Sequence, residues 1–169
     1  MVTIGFDKQC ITPELPVALS GYAGKRIANG IHDELYTRCI SMEYNGQRYL
    51  LAQCDCLAVD EALRIAVLTE LTDLNLPNEH FVLTATHTHS GPAGTIDTGI
   101  APFSCLTDVF GTSSPVYRKK LANQIALAVC KHTHCKEEVK QQCEVCNRTR
   151  DYTIHRAHVY HKENKCHDK

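Results

Sequence analysis

Apolar and polar residues alternate at some places along this chain and recur at helical spacing at others. Val2 to Phe6 alternates and predicts an opening strand. Leu35 to Met42 and Arg48 to Cys56 repeat the pattern. Between them sits Asn45-Gly46, the strongest short-range signal for a two-residue hairpin turn, so these strands are expected to be antiparallel neighbours. Asp60 stands where a helix cap belongs. Leu63, Val67 and Leu71 then follow at four-residue steps and predict a helix over Glu61 to Leu71 with one apolar stripe. Asn75 to Asn78, with Pro77, ends that element, and Phe81-Val-Leu-Thr84 predicts a short strand. Strand, helix, strand in that order predicts a crossover onto a mixed sheet.

From Thr95 to Ser113 there is no clear period, and a stretch of that length is expected to be a functional loop or lid. Ser114 as cap and Pro115 at the first helical position start a second helix. Tyr117, Leu121, Ile125, Ala128 and Val129 form its buried face, and it is expected to run to about Lys131. Val139 to Cys146 alternates and predicts a strand, and Tyr152 to Tyr160 a weaker one. The polar Lys162 to Lys169 is expected to be a disordered tail. The fold class expected is therefore α/β, a mixed β-sheet with helices packed on it, over one domain spanning residues 1–161.

A chain of 169 residues has room for one domain and buries enough surface to fold without disulfides. With a net charge of -1 and no block of like charges, nothing points to a nucleic-acid partner. No apolar run reaches the roughly 18 residues of a membrane span. Met1-Val-Thr-Ile-Gly-Phe lacks the basic-then-apolar pattern of a leader, so a cytoplasmic location is expected. Ten cysteines are many. Cys39, Cys54, Cys56 and Cys130 fall inside strand or helix patterns, so the set is read as mostly buried, reduced thiols.

The densest chemistry lies at the end of the Phe81 run, in Ala85-Thr-His-Thr-His-Ser-Gly-Pro-Ala-Gly94. Residues two apart on an extended backbone share a face, so His87 and His89 can offer two imidazoles to one metal ion. Zinc normally takes three or four protein ligands, and two surface histidines in a loop is the competing reading. Upstream, Ser20-Gly-Tyr-Ala-Gly24 suits a tight loop of close approach.

Taken together, Ile11-Thr-Pro, Gly21-Tyr-Ala, Gly30-Ile-His32, Tyr36-Thr-Arg38, the His-Thr-His-Ser-Gly-Pro block and Asn147-Arg148 resemble, in order and spacing, the N-terminal part of the neutral/alkaline non-lysosomal ceramidase family. The resemblance implies a zinc-dependent amidohydrolase that cleaves ceramide to sphingosine and a fatty acid. It implies Zn2+ ligands at His87 and His89, and positions lining the site at Gly21, His32 and Arg148. Arg148 would stabilise an oxyanion, and His32 would donate a hydrogen bond or shuttle a proton. A histidine tying down its own loop and a surface ion pair are the plainer alternatives. Asp55 is a candidate to orient a zinc-bound imidazole by accepting its other ring N–H, with a cap or loop-closing bond as the alternative.

The family completes its zinc site with a further histidine, a glutamate and a tyrosine far downstream of the His-Thr-His block. The chain is thus expected to be an incomplete catalytic domain, needing a downstream region or a completing chain to act on a small-molecule or lipid N-acyl amide. Two other readings stand beside it. One is an inactive module that binds metal weakly. The other is a Cys/His-rich structural zinc protein built on His132, His134, Cys135, Cys143, Cys146, His155, His158 and His161.

Overall fold

The computed structural model of the protein describes residues 2–99 and 103–142. Strand β1 (Val2–Cys10) is followed by a small antiparallel ribbon of β2 (Val17–Leu19) and β3 (Arg26–Ala28). The hairpin β4 (Tyr36–Tyr44) and β5 (Gln47–Cys54) comes next, then α1 (Glu61–Glu70) and β6 (Phe81–Ala85). The main sheet has the order β1-β4-β5-β6.

Local chemistry accounts for most of this. Asn45 and Gly46 both take positive φ, +50° and +76°, as a two-residue turn matched to strand twist requires. The turn sets the register Cys39↔Ala52 and Thr37↔Cys54. Asp60 accepts from Leu63 N at 2.8 Å and starts α1. The crossover returns the chain so that β5 and β6 pair in parallel, Leu50↔Phe81 through Cys54↔Ala85. β1 runs on to Cys10, beyond the alternating Val2–Phe6, because its whole length pairs with β4.

The last helix, α3 (Pro115–Gln142), lies against β1 and β4, with α1 beside it. Leu63 and Val67 of α1, with Leu71 at its C-terminal cap, meet Leu121, Ile125 and Val129 of α3 and Leu50, Ala52 and Phe81 of the sheet in one core. Each of the Leu, Ile, Val and Phe side chains contributes about 1.5–3 kcal/mol by burial. Cys39 sits at the join, its thiol 3.8 Å from the Ile125 carbonyl. Cys39, Cys54 and Cys56 are free and buried, as their place in the strand patterns implied, although Cys56 lies just past the end of β5. Cys10 instead is disulfide-bonded.

Two expectations change. α3 continues past Lys131 to Gln142, so Val139 to Gln142 is helical and not the start of a strand. Lys136-Glu-Glu-Val-Lys-Gln-Gln142 is rich in strong helix formers and has neither Gly nor Pro to stop it. Cys143 to Cys146, Tyr152 to Tyr160 and the tail lie outside the described residues.

The start of the aperiodic segment after Thr95 is packed, and its described residues are tied to one another by hydrogen bonds. Thr95, Ile96 and Thr98 are buried. Thr95 Oγ1 donates to Ala58 O at 2.9 Å, Thr98 Oγ1 to Gly111 O at 3.1 Å, and Gly94 N to Phe110 O at 2.9 Å. Side-chain and turn hydrogen bonds replace a repeating period there, which is why no pattern announces it. A short helix, α2 (Thr107–Phe110), lies within this segment.

Candidate metal centre

β6 carries the His-Thr-His segment to the edge of the sheet. Thr86 N donates to Cys54 O at 2.9 Å and extends the parallel ladder one residue further. His87 then takes φ +62°, a left-handed conformation that a non-glycine residue adopts only where its surroundings enforce it. The two histidines therefore do not come together by strand alternation, as an extended backbone predicts. A turn brings them together, with ring centroids 5.5 Å apart and planes at 83°. Two imidazoles on one tetrahedral zinc would stand with centroids about 5 Å apart.

His87 Nδ1 lies 2.8 Å from the Leu57 carbonyl. A carbonyl only accepts, so Nδ1 carries the hydrogen and the lone pair of the neutral ring is at Nε2. Both histidines are exposed, and Gly21 and Tyr22 pack against one side of the His89 ring. Gly21 has φ +89°, and a Cβ there would fall 2.7 Å from Cε1 and 2.8 Å from Cγ of the His89 ring. Tyr22 meets the same ring edge-on at 5.7 Å, and the Arg26 guanidinium covers Tyr22 at 4.2 Å.

Backbone bonds seat this loop. Gly21 N donates to Val109 O at 2.7 Å, Ala93 N to Ala18 O at 2.7 Å, and Ser20 N to Gly91 O at 3.2 Å. The Gly-Tyr-Ala loop and the segment after His89 thus form one unit, although some seventy residues of sequence separate them.

The other candidates are placed as follows. Asp55 does not orient an imidazole. Its carboxylate accepts from Tyr36 N at 2.9 Å and from Arg38 Nη1 at 2.9 and 2.8 Å. Asp55 N also donates to Tyr36 O at 2.9 Å, so the antiparallel ladder continues past β5 and sets Asp55 near Arg38. Leu57 O is the acceptor that Asp55 was expected to provide, and a backbone carbonyl carries no signal in the sequence.

His32 is 97% exposed and its Nδ1 lies 2.7 Å from Asp33 Oδ2. The Asp33 hydrogen bond, then its charge, raises the His32 pKa. His32 and Asp33 border a groove of about 560 Å³ whose walls include Leu15, Val17, Leu19 and Ile31, with Thr88 and Ser90 of the histidine loop also lining it. Arg148 lies outside the described residues.

Sequence reasoning missed Arg118. Its guanidinium forks onto Asp60, Nη1 to Oδ2 at 2.8 Å and Nη2 to Oδ1 at 2.9 Å, and Nη1 also reaches Thr95 O at 2.6 Å. Both side chains are largely buried, 13% and 7% exposed. Burial alone would raise the Asp60 pKa. The Arg118 bond and the N–H groups of Asp97 and Leu63 outweigh it and hold the carboxyl below its ordinary value. Asp60 was legible as a cap, but its partner is 58 residues away and nothing local marks it.

As a donor set, the two imidazoles suit zinc. Among the described residues, no group of three or more His, Cys, Asp or Glu is placed to hold a metal ion. The described chain therefore offers two ligands of the three or four that zinc takes.

The profile of the neutral/alkaline non-lysosomal ceramidase family, N-terminal, matches residues 3–152. The chain belongs to this family. The crystal structure of neutral ceramidase from Pseudomonas aeruginosa is similar, with TM-score 0.66 and 24% identity over 79% of this chain and 21% of that one. A structure of ceramidase complexed with C2 gives TM-score 0.63 and 27% identity over 75% of this chain and 20% of that one. The chain thus spans about a fifth of the length of these ceramidases. No curated protein matches it. The α/β class and mixed sheet expected from the sequence agree with this ceramidase likeness. Among the described residues no helix is long and apolar enough to cross a membrane.

Proposed function

We propose that this chain contributes the His87–His89 part of a zinc-dependent amidohydrolase site acting on a ceramide-like N-acyl amide. One juxtaposition carries the reading. In a ceramidase-family chain, two imidazoles stand 5.5 Å apart, one fixed by a backbone carbonyl and the other packed under Gly21.

A zinc ion at such a site supplies a water with its pKa lowered to about 7. His87 would bind through Nε2, since Nδ1 is committed to Leu57 O. Gly21 gives the His89 ring the room to sit against its backbone, where any side chain would collide with the ring. The groove beside Thr88 and Ser90 offers apolar walls to a hydrocarbon chain. His32 on its rim, kept protonated to higher pH by Asp33, would move a proton to or from the reacting amide. Arg148, taken over from the family likeness alone, would stabilise the developing oxyanion.

Zinc retention through dialysis by the full chain, and hydrolysis of a short-chain N-acylsphingosine, test this directly. His87→Ala is expected to lose both, and undiminished hydrolysis in that variant would defeat the assignment. The two-ligand count favours a second reading, an inactive module that binds metal weakly until a downstream region or partner chain completes it. That reading predicts weak zinc binding without turnover. The structural-zinc alternative rests on residues whose side chains lie outside the described part, and it predicts that a chelator lowers the helical circular dichroism.

A further inference from the structure

We propose that Arg118 is a positioning residue for His87, acting through the Leu57 carbonyl. The inference takes from the proposed function only that His87 is a metal ligand. Arg118 grips Asp60 with both arms of its guanidinium and holds Thr95 O at 2.6 Å. Both partners bear on the segment that carries Leu57. Asp60 follows it by three residues. Thr95 Oγ1 donates at 2.9 Å to Ala58 O, the next carbonyl along the chain. On the other side, Cys56 N donates to Cys54 O at 2.9 Å. The Leu57 peptide is thereby fixed from both directions, with its carbonyl 2.8 Å from His87 Nδ1.

That fixation has a chemical consequence. An imidazole has two tautomers, and the acceptor beside one nitrogen decides which nitrogen keeps its lone pair for a metal. A Leu57 carbonyl free to rotate would leave the tautomer mixed and the ring unaimed. Stability alone is a poor reason for the fork, because a buried ion pair contributes little net against an apolar pair of the same volume. Asp60 would still cap α1 through Leu63 N without it. What the fork adds is a single arrangement of the 57–60 segment. Lysine would keep the charge and lose the two-armed grip.

The test uses the full chain with Arg118→Lys and Thr95→Val. Arg64→Lys serves as control, since it alters an exposed ion pair with Glu61 elsewhere on α1. The first measurement needs no metal: nitrogen-15 NMR of the His87 ring, assigned with a His87→Ala sample. Wild type and Arg64→Lys are expected to show one tautomer, with a slowly exchanging Nδ1–H. Arg118→Lys and Thr95→Val are expected to show mixed tautomers and rapid exchange while the fold is retained. The second measurement is zinc affinity, expected to fall about 10–100-fold in both.

Variants that melt earlier yet keep the single tautomer and wild-type zinc affinity would overturn the inference, leaving Arg118 a purely structural role. If Arg118→Lys does not fold, Asp60→Asn, which removes the carboxylate that Arg118 grips, decides by the same two measurements. Absence of zinc binding by wild type would sink the metal reading, whereas the tautomer comparison would still decide whether Arg118 positions the ring.

Discussion

Gly21 and His89 are in contact across a gap that only a glycine leaves open. The ring occupies the space a side chain at position 21 would need, and the backbone there is left-handed at φ +89°. Gly21→Ala therefore adds strain and displaces His89. The expected loss of stability is about 1–3 kcal/mol, with weakened zinc binding. Gly24→Ala is the matched comparison, because φ is +103° but nothing lies within 4 Å of a Cβ. It should lose stability and keep zinc affinity. Urea unfolding and zinc titration of both variants separate strain from displacement, and equal zinc affinities in the two would refute the contact's role.

The Asp60–Arg118 pair makes the fold sensitive to acid. Asp60's folded pKa lies below its ordinary value, so its contribution is complete above the unfolded pKa of about 3.9. It is lost as pH falls through the folded value. The urea midpoint of the wild type should drop steeply below about pH 4. Asp60→Asn should lack that component and be less stable at pH 7 by roughly 3 kcal/mol, because Arg118 is left buried without its counter-charge. Parallel pH dependence in the two proteins would show that the pair does not carry the effect.

What the sequence disclosed was local. The Asn45-Gly46 turn, the Asp60 cap, the stripe of Leu63, Val67 and Leu71 and the Ser114-Pro115 helix start each depend on residues within a few positions of one another, and each appears in the fold. What it hid was long-range or carried by backbone. The Leu57 carbonyl has no letter of its own. Arg118 meets Asp60 from 58 residues away. The left-handed turn at His87 contradicts the extended backbone that made His-x-His look like a pair on one face. Asp55, read as an imidazole partner, went to Arg38 and Tyr36 N because the β4–β5 ladder continues through it and sets it beside those cross-strand groups.

The buried cysteines give a kinetic prediction. Burial, reinforced by Cys54, pushes the Cys39 thiol up to about 12, and burial pushes Cys54 up to about 11. The nucleophile in thiol labelling is the thiolate, so both should resist a maleimide at pH 8 until the domain opens. Unfolded thiols ionise near pH 8.5 while the folded ones stay neutral. Stability should therefore decline as pH rises above about 9. Mass spectrometry after timed labelling checks this, and rapid modification of Cys39 or Cys54 in the native chain would show that the β4–β5 core is not closed.

His32 and Asp33 test the proton-transfer role apart from the fold. The ring is 97% exposed, so neither residue supports the core. Asp33 raises the His32 pKa first by its hydrogen bond and then by its charge, so the imidazolium persists to higher pH than an ordinary histidine. Asp33→Asn should lower the His32 midpoint in an NMR titration and leave the melting temperature unchanged. If His32 donates a proton during hydrolysis, the alkaline limb of the kcat/KM profile should move down in pH by the same amount as that midpoint. His32→Ala should lower kcat across the range without unfolding the chain. A profile whose alkaline limb stays in place in Asp33→Asn, although the NMR midpoint has moved, would leave His32 as a rim residue beside the groove and assign the proton to another group.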